Sequence, residues 1–151
     1  MSTFAVVLIV VVAFVLGQMS LLRPSARDTR LMQLRAEARK AGLQPRLLAP
    51  PDWYRGERPV GGLLACYSLL LPEDAPGLPY FRAERLSDGE WVTRSGEGAV
   101  LRGLDLPPEA ARLLALEARA NAVSAWWKEE GGPEVLPALH SLLHQLQQKL
   151  Q

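Results

Sequence analysis

The chain is poor in the residues from which most catalytic and metal sites are built. It has one cysteine, Cys66, and two histidines, His140 and His144, in 151 residues. A single thiol excludes an internal disulfide and fits a reducing compartment, and within the apolar run 63–71 it reads as a small buried side chain. The histidines stand at i and i+4, a spacing that offers two imidazoles to zinc. Tetrahedral zinc takes three or four protein ligands, however, and no Glu occupies the H-E-x-x-H position, so neither a metal site nor a cofactor is expected. G-x-S-x-G is absent, and no serine or cysteine is tied by local pattern to a histidine. Gly96-Glu97-Gly98 lacks the longer glycine pattern of a phosphate cradle, and a strand at 99–102 would leave it without the helix required directly behind it. The acidic pairs Glu73-Asp74 and Glu129-Glu130 lie beside proline or glycine at element ends, where solvated charge is the expectation. No enzymatic activity and no small-molecule substrate follow from these residues.

Charge is also missing from the whole of 4–22. Nineteen residues at 1.5 Å rise span roughly 28 Å, close to the hydrocarbon thickness of a bilayer, and the segment reads as a transmembrane anchor. Met1, Ser2 and Thr3 form a short tail without Lys or Arg, while Arg23, Arg27, Arg30, Arg35, Arg39 and Lys40 follow the apolar run. The positive-inside rule then places the amino terminus outside and the body in the cytoplasm. A cleaved signal peptide is the rival reading, with 4–16 as its apolar core, but the basic leader is missing and the arginines behind resist translocation. Gly17 and Ser20 are the small residues at which a partner helix would pack in the bilayer.

Residues 23–46 hold seven Lys or Arg against Asp28 and Glu37, a net +5, whereas 47–151 carry ten against fourteen, a net −4. The basic segment lies against the anchor, so anionic headgroups are its first partner, through Arg23, Arg27, Arg30, Arg35, Arg39 and Lys40. An acidic body beyond it argues against nucleic acid. Ser25 and Asp28 have the form of a capping box that opens a helix running to about Ala41 and closed by Gly42.

Residues 43–151 leave room for one small domain. Residues 43–49 read as a short extended segment and 50–56 as a rigid turn carrying Trp53 and Tyr54. The run 63–71 has the length of a strand buried on both faces. Ser87-Asp88-Gly89 between 80–86 and 90–94 is a strong hairpin signal, and 63–102, with a last strand at 99–102, reads as a small antiparallel meander. Leu113, Leu116, Ala120, Val123 and Trp127 step by three and four, which predicts a helix from about 105 to 128. Leu136, Leu139, Leu143, Leu146 and Leu150 repeat that spacing and predict a second helix, the pair forming a hairpin across Gly131-Gly132. The expected class is therefore α+β: a transmembrane helix at 4–22, a basic juxtamembrane helix at 23–42, and a cytoplasmic domain at 43–151 with a meander and a C-terminal helical hairpin.

Leu21-Leu22-Arg23-Pro24, followed by Arg27, Arg30 and a charged helix, is similar to the start of YajC-type proteins, accessory subunits of the Sec translocase with an amino-terminal anchor, an R-P step and a basic helix. The resemblance covers residues 4–40 and implies an anchored accessory protein of the bacterial inner membrane; the family's K-G-D and T-x-G-G segment is not found. The function expected is a non-catalytic accessory or scaffold subunit that binds a membrane protein partner, or a second copy of itself. Its contacts would be the anchor, the seam Leu136 to Leu150, and Trp126, which stands one position off the first seam. The alternatives are a module that binds anionic lipid through its basic helix and a membrane-tethered enzyme with an unfamiliar site around Cys66, a histidine and carboxylates.

Overall fold

A computed structural model describes residues 2–151, in two compact units. The first ends at Met32. It contains helix α1, Thr3–Leu21, opened by Ser2, whose hydroxyl accepts the Ala5 N–H at 3.4 Å. No residue of α1 is buried, and its length and composition suffice to cross a membrane. Past Pro24, helix α2, Ala26–Lys40, opens on the expected capping box. The Asp28 N–H donates to Ser25 Oγ at 3.1 Å, and the Ser25 N–H returns to Asp28 Oδ2 at 3.1 Å. Hydrogen bonds from Ser25 hold the Asp28 carboxyl below its ordinary pKa.

The second unit, Gln33–Gln151, begins within α2. Leu34 and Ala38, one turn apart, are fully buried, and Gly42 at φ +86° ends the helix in the left-handed region that glycine adopts without steric cost. Six strands follow: β1 Leu43–Leu48, β2 Leu64–Leu70, β3 Leu78–Arg85, β4 Trp91–Ser95, β5 Leu113–Ala120 and β6 Ala122–Trp127. They form one antiparallel sheet in the order β1-β2-β6-β5-β3-β4. Helix α3, Gly98–Arg102, follows β4, and helix α4, Leu136–Leu150, closes the chain.

Register assigns the two faces. One presents Tyr67, Phe81, Ala83, Leu116, Ala118, Val123, Ala125 and Trp127, all at 1% exposure or less. Helix α4 covers this face with Leu136, Leu139, Leu142, Leu143 and Leu146, and the sheet's alanines leave room for its leucines. Tyr67 meets Trp127 edge to face at 5.2 Å. Each of these large side chains contributes roughly 1.5–3 kcal/mol by leaving water, which makes this layer the main core.

The α+β class, the apolar first helix, the capped second helix and the hairpin at Asp88-Gly89 agree with the sequence. Three expectations are corrected. The helix expected over 105–128 is a short 3₁₀ turn, Pro108–Arg112, and the β5–β6 hairpin, so α4 has no helical partner in a hairpin. A bulge between Leu113 and Ala115 moves the positions of β5 that face α4 from odd to even residues, and the turn at Ala120-Asn121 resets them again. The resulting three-and-four spacing imitates a helix, in a segment whose Leu, Ala, Glu and Arg favour one locally; pairing with β2 and β3 overrides that preference. Residues 63–102 are not one meander, because β6 and β5 separate β2 from β3. Residues 99–102 lie in α3 rather than a strand. A helix therefore does follow Gly96-Glu97-Gly98, but it is only five residues long.

Candidate functional site

The face of the sheet away from α4 is covered over part of its area. Trp53 and Tyr54, from the segment 49–63, pack with Leu64, Cys66, Ala115 and Trp126 into a second, smaller core. Glu84, fully buried, anchors this segment: its carboxylate accepts the Arg55 N–H at 2.8 Å and is paired with Arg94. An ion pair restrains the charge in place of water, so the segment is tied to β3 by more than its aromatics.

Beyond Trp126 the same face is open, and a trough of about 500 Å³ runs over it. Register places Gln44, Ser68, Ser124, Glu117 and Arg82 in one row across β1, β2, β6, β5 and β3. Ser68 Oγ and Ser124 Oγ are 2.8 Å apart, and Cys66 Sγ is 3.9 Å from Ser68 Oγ. Arg82 pairs with Glu117 at 3.1 Å, and its guanidinium lies 4.2 Å from the ring centre of Tyr80 and 5.3 Å from that of Trp53. Arg46 and Arg119, both exposed, flank the row without a carboxylate partner among the described residues. Arg46, Arg82 and Arg119 against Glu117 leave this surface with a net charge of +2. Three strand spacings across and about four residues along put the Cα atoms of Arg46 and Arg119 roughly 19 Å apart, the span of an extended peptide of about six residues.

The one thiol in the trough is not activated as a nucleophile. Burial pushes the Cys66 thiol up to about 11, outweighing the opposing hydrogen bonds of Ser68 and Ser124, so the thiol stays protonated near neutral pH. The serine hydroxyls bond to each other, while His140 and His144 stand on α4, their rings stacked with centres 6.5 Å apart.

A second polar cluster joins the helix to the sheet. Glu129 accepts from Arg35 Nε at 2.8 Å on Oε1 and from Arg35 Nη2 at 2.5 Å on Oε2, and Tyr67 Oη donates to Oε1 at 2.7 Å. The bond to Glu129 raises the Arg35 pKa, and burial followed by the same carboxylate raises that of Tyr67. Two expectations are corrected here. Arg35 is held by the domain instead of facing lipid, and Glu129 is a structural acceptor instead of solvated charge.

The other expected site residues divide clearly. Arg23, Arg27, Arg30 and Arg39 are exposed, and Lys40 is exposed but bonded to Glu37 at 2.8 Å. Gly17 and Ser20 lie on α1, exposed like their neighbours. Leu136, Leu139, Leu143 and Leu146 are at 4% exposure or less beneath the sheet, so that seam is core; only Leu150, at its end, is half-buried. Trp126, at 5%, belongs to the second core and is no exposed contact residue, since on a strand it alternates with Trp127 between two buried faces. The trough was hidden from the sequence because its residues come from strands whose order the chain does not announce. Among the described residues no cluster of His, Cys, Asp or Glu is placed to hold a metal ion. No family model matches the chain, and no curated protein or solved structure shows significant similarity to it.

Proposed function

We propose that this is a membrane-anchored, non-catalytic accessory protein whose domain receives an extended acidic segment of a membrane protein in the trough beyond Trp126. The observation that carries the reading is the pair of exposed arginines, Arg46 and Arg119, which have no carboxylate partner among the described residues and flank a hydroxyl-lined row. A carboxylate chain meets both charges and finds donors between them in Ser68, Ser124 and Gln44. The charge-free α1, none of whose residues is buried, supports the anchor. The arginines that follow it support an outside amino terminus and a cytoplasmic domain in a bacterial inner membrane. This is the arrangement that the likeness to YajC-type proteins implies for residues 4–40. The seam on α4 is withdrawn as a contact, because its leucines pack on the protein's own sheet.

The test is a photo-crosslinker at Gln44, an exposed position on the trough rim, in membranes that hold the full chain. An adduct with an acidic segment of a membrane protein, lost when Arg46→Glu and Arg119→Glu are combined, is expected. No adduct, or one indifferent to the charge reversal, refutes the reading.

A second reading is favoured by one observation: Arg23, Arg27 and Arg30 are exposed and carry no ion pair among the described residues. They would hold the tether against anionic headgroups, each worth about 1 kcal/mol near the surface. High salt should then weaken the tether's association with anionic lipid, and binding indifferent to salt and lipid charge would remove this reading.

A further inference from the structure

Six large apolar side chains of the second unit are exposed, namely Leu47, Leu48, Val60, Leu63, Leu70 and Tyr80. Three of them, Leu47, Val60 and Leu63, lie at one end of the sheet, where β1 finishes, β2 starts and the segment 49–63 connects the two, while Leu48 turns to the other face and lines the trough. Val60 is fully exposed and Leu63 is 52% exposed. Scattered apolar exposure is ordinary, whereas a cluster at one edge of a small domain marks a contact surface.

The tip is built rather than loose. Residues 59–62 form a turn in which the Gly62 N–H donates to the Pro59 carbonyl at 3.0 Å and Gly61 sits at φ +94°. Glycine at the third position of that turn places Val60 at its outer corner. The base of the segment is fixed by the Arg55 N–H on Glu84 and by buried Tyr54. An apolar residue at such a corner meets its partner at a reduced ordering cost.

The chain also enters the domain at this end. Arg35 bonds Glu129, two residues past Trp127, which pairs with Ala65 at the start of β2, while Gly42, after the other end of α2, leads into the start of β1. Residues 23–25 and the first seven residues of α2 are all that lie between the apolar run and the domain, a length of about 21 Å with three residues extended and seven helical. A bilayer occupied by α1 is therefore within reach of the tip, at high effective concentration.

We infer that the Val60 tip is a second, peripheral membrane contact: Val60 and Leu63 dip into the headgroup boundary of the bilayer that α1 spans. The inference rests on the reading of α1 as a membrane span. It does not use the arginines of the tether. Asp52, Arg55, Glu57 and Arg58 cancel within the segment, so the contact is apolar and insensitive to salt.

The test uses the full chain carrying Cys66→Ala, reconstituted in vesicles of mixed zwitterionic and anionic lipid, with an environment-sensitive fluorophore on one introduced cysteine at a time. Phe14→Cys reports the anchor, Val60→Cys the tip, and Asp74→Cys the opposite end of the sheet. Lipids with a nitroxide near the headgroup should dim the Val60 label about twofold, in low and high salt alike, and leave the Asp74 label unchanged. Nitroxide deep in the acyl chains should dim the Phe14 label. A dimmed Phe14 label with an undimmed Val60 label overturns the inference and leaves the anchor standing. A blue-shifted but undimmed Val60 label assigns the tip to a protein and also overturns it, as does equal dimming at Asp74 or loss of the effect in high salt. An undimmed Phe14 label removes the anchor reading and the inference with it.

Discussion

Glu129 can be removed to test whether the last turns of α2 are truly part of the domain. Its carboxylate takes three hydrogen bonds, two from Arg35 and one from Tyr67, and its side chain is only 8% exposed. In Glu129→Ala the guanidinium and the phenol lose their acceptor together. Breaking a buried pair by deleting one partner costs about 3–5 kcal/mol, and the 25% exposure left to Arg35 puts the expectation at the lower end, about 3 kcal/mol. For a unit of this size, at about 2.1 cal/mol/K of unfolding entropy per residue, that lowers the melting temperature by roughly 12 °C. The assay is thermal unfolding of the full chain in detergent, followed by tryptophan fluorescence, since Trp127 packs on Tyr67. Arg35→Met combined with Glu129→Leu replaces the charges by apolar groups and should be less damaging than Glu129→Ala alone. A Glu129→Ala protein within about 1 kcal/mol of the parent, or a double variant as unstable as the sum of its singles, would mean that the pair does not hold α2 to the domain.

Three further outcomes follow from the core and the turns. The Cys66 thiol titrates near 11 in the folded protein against an ordinary 9.0, so the folded state holds a proton that the unfolded state loses between those values. Stability is therefore intact below pH 9 and declines by about 2–3 kcal/mol as pH rises to 11; denaturant titrations at pH 8 and 11 should show this, and Cys66→Ala should flatten that part of the slope. Gly42→Ala should cost about 1 kcal/mol, because φ is +86° but the space around a new Cβ is open. Gly96→Ala should cost distinctly more, since φ is +89° and the new Cβ would lie 2.8 Å from the Tyr80 carbonyl; equal midpoints for the two variants would contradict this. Leu143→Ala should destabilise the domain by about 3–4 kcal/mol in the same denaturant assay, as a core position does, whereas a partner-facing leucine would barely move the midpoint.

The features legible in the sequence were those with a local cause. An apolar run of bilayer length, Ser25 capping against Asp28, glycine after a helix, and Asp-Gly between two strands each act within a few residues, and each appears in the structure. The β5–β6 hairpin failed that test because its information is non-local. Its composition favours a helix, its period is broken by a bulge, and strand form is stabilised by neighbours more than 30 residues away in sequence, Phe81 against Ala118 on one side and Tyr67 against Ala125 on the other. The leucine pattern of α4 was legible but its partner was not. Three-and-four spacing says that a face is buried, without saying whether a helix, a sheet or another protein covers it. The trough and the Arg35–Glu129 pair escaped for a similar reason, as their residues meet only once the strand order is known; Arg35 and Glu129 are 94 residues apart.

The proposed function depends first on α1 remaining in a bilayer as part of the chain. Membranes from cells that express the full chain can be washed in alkaline carbonate and the protein in the pellet weighed by intact mass spectrometry. A pelleted chain with a mass that includes residues 3–21 is expected. A chain released into the supernatant, or one shortened by that segment, would contradict it.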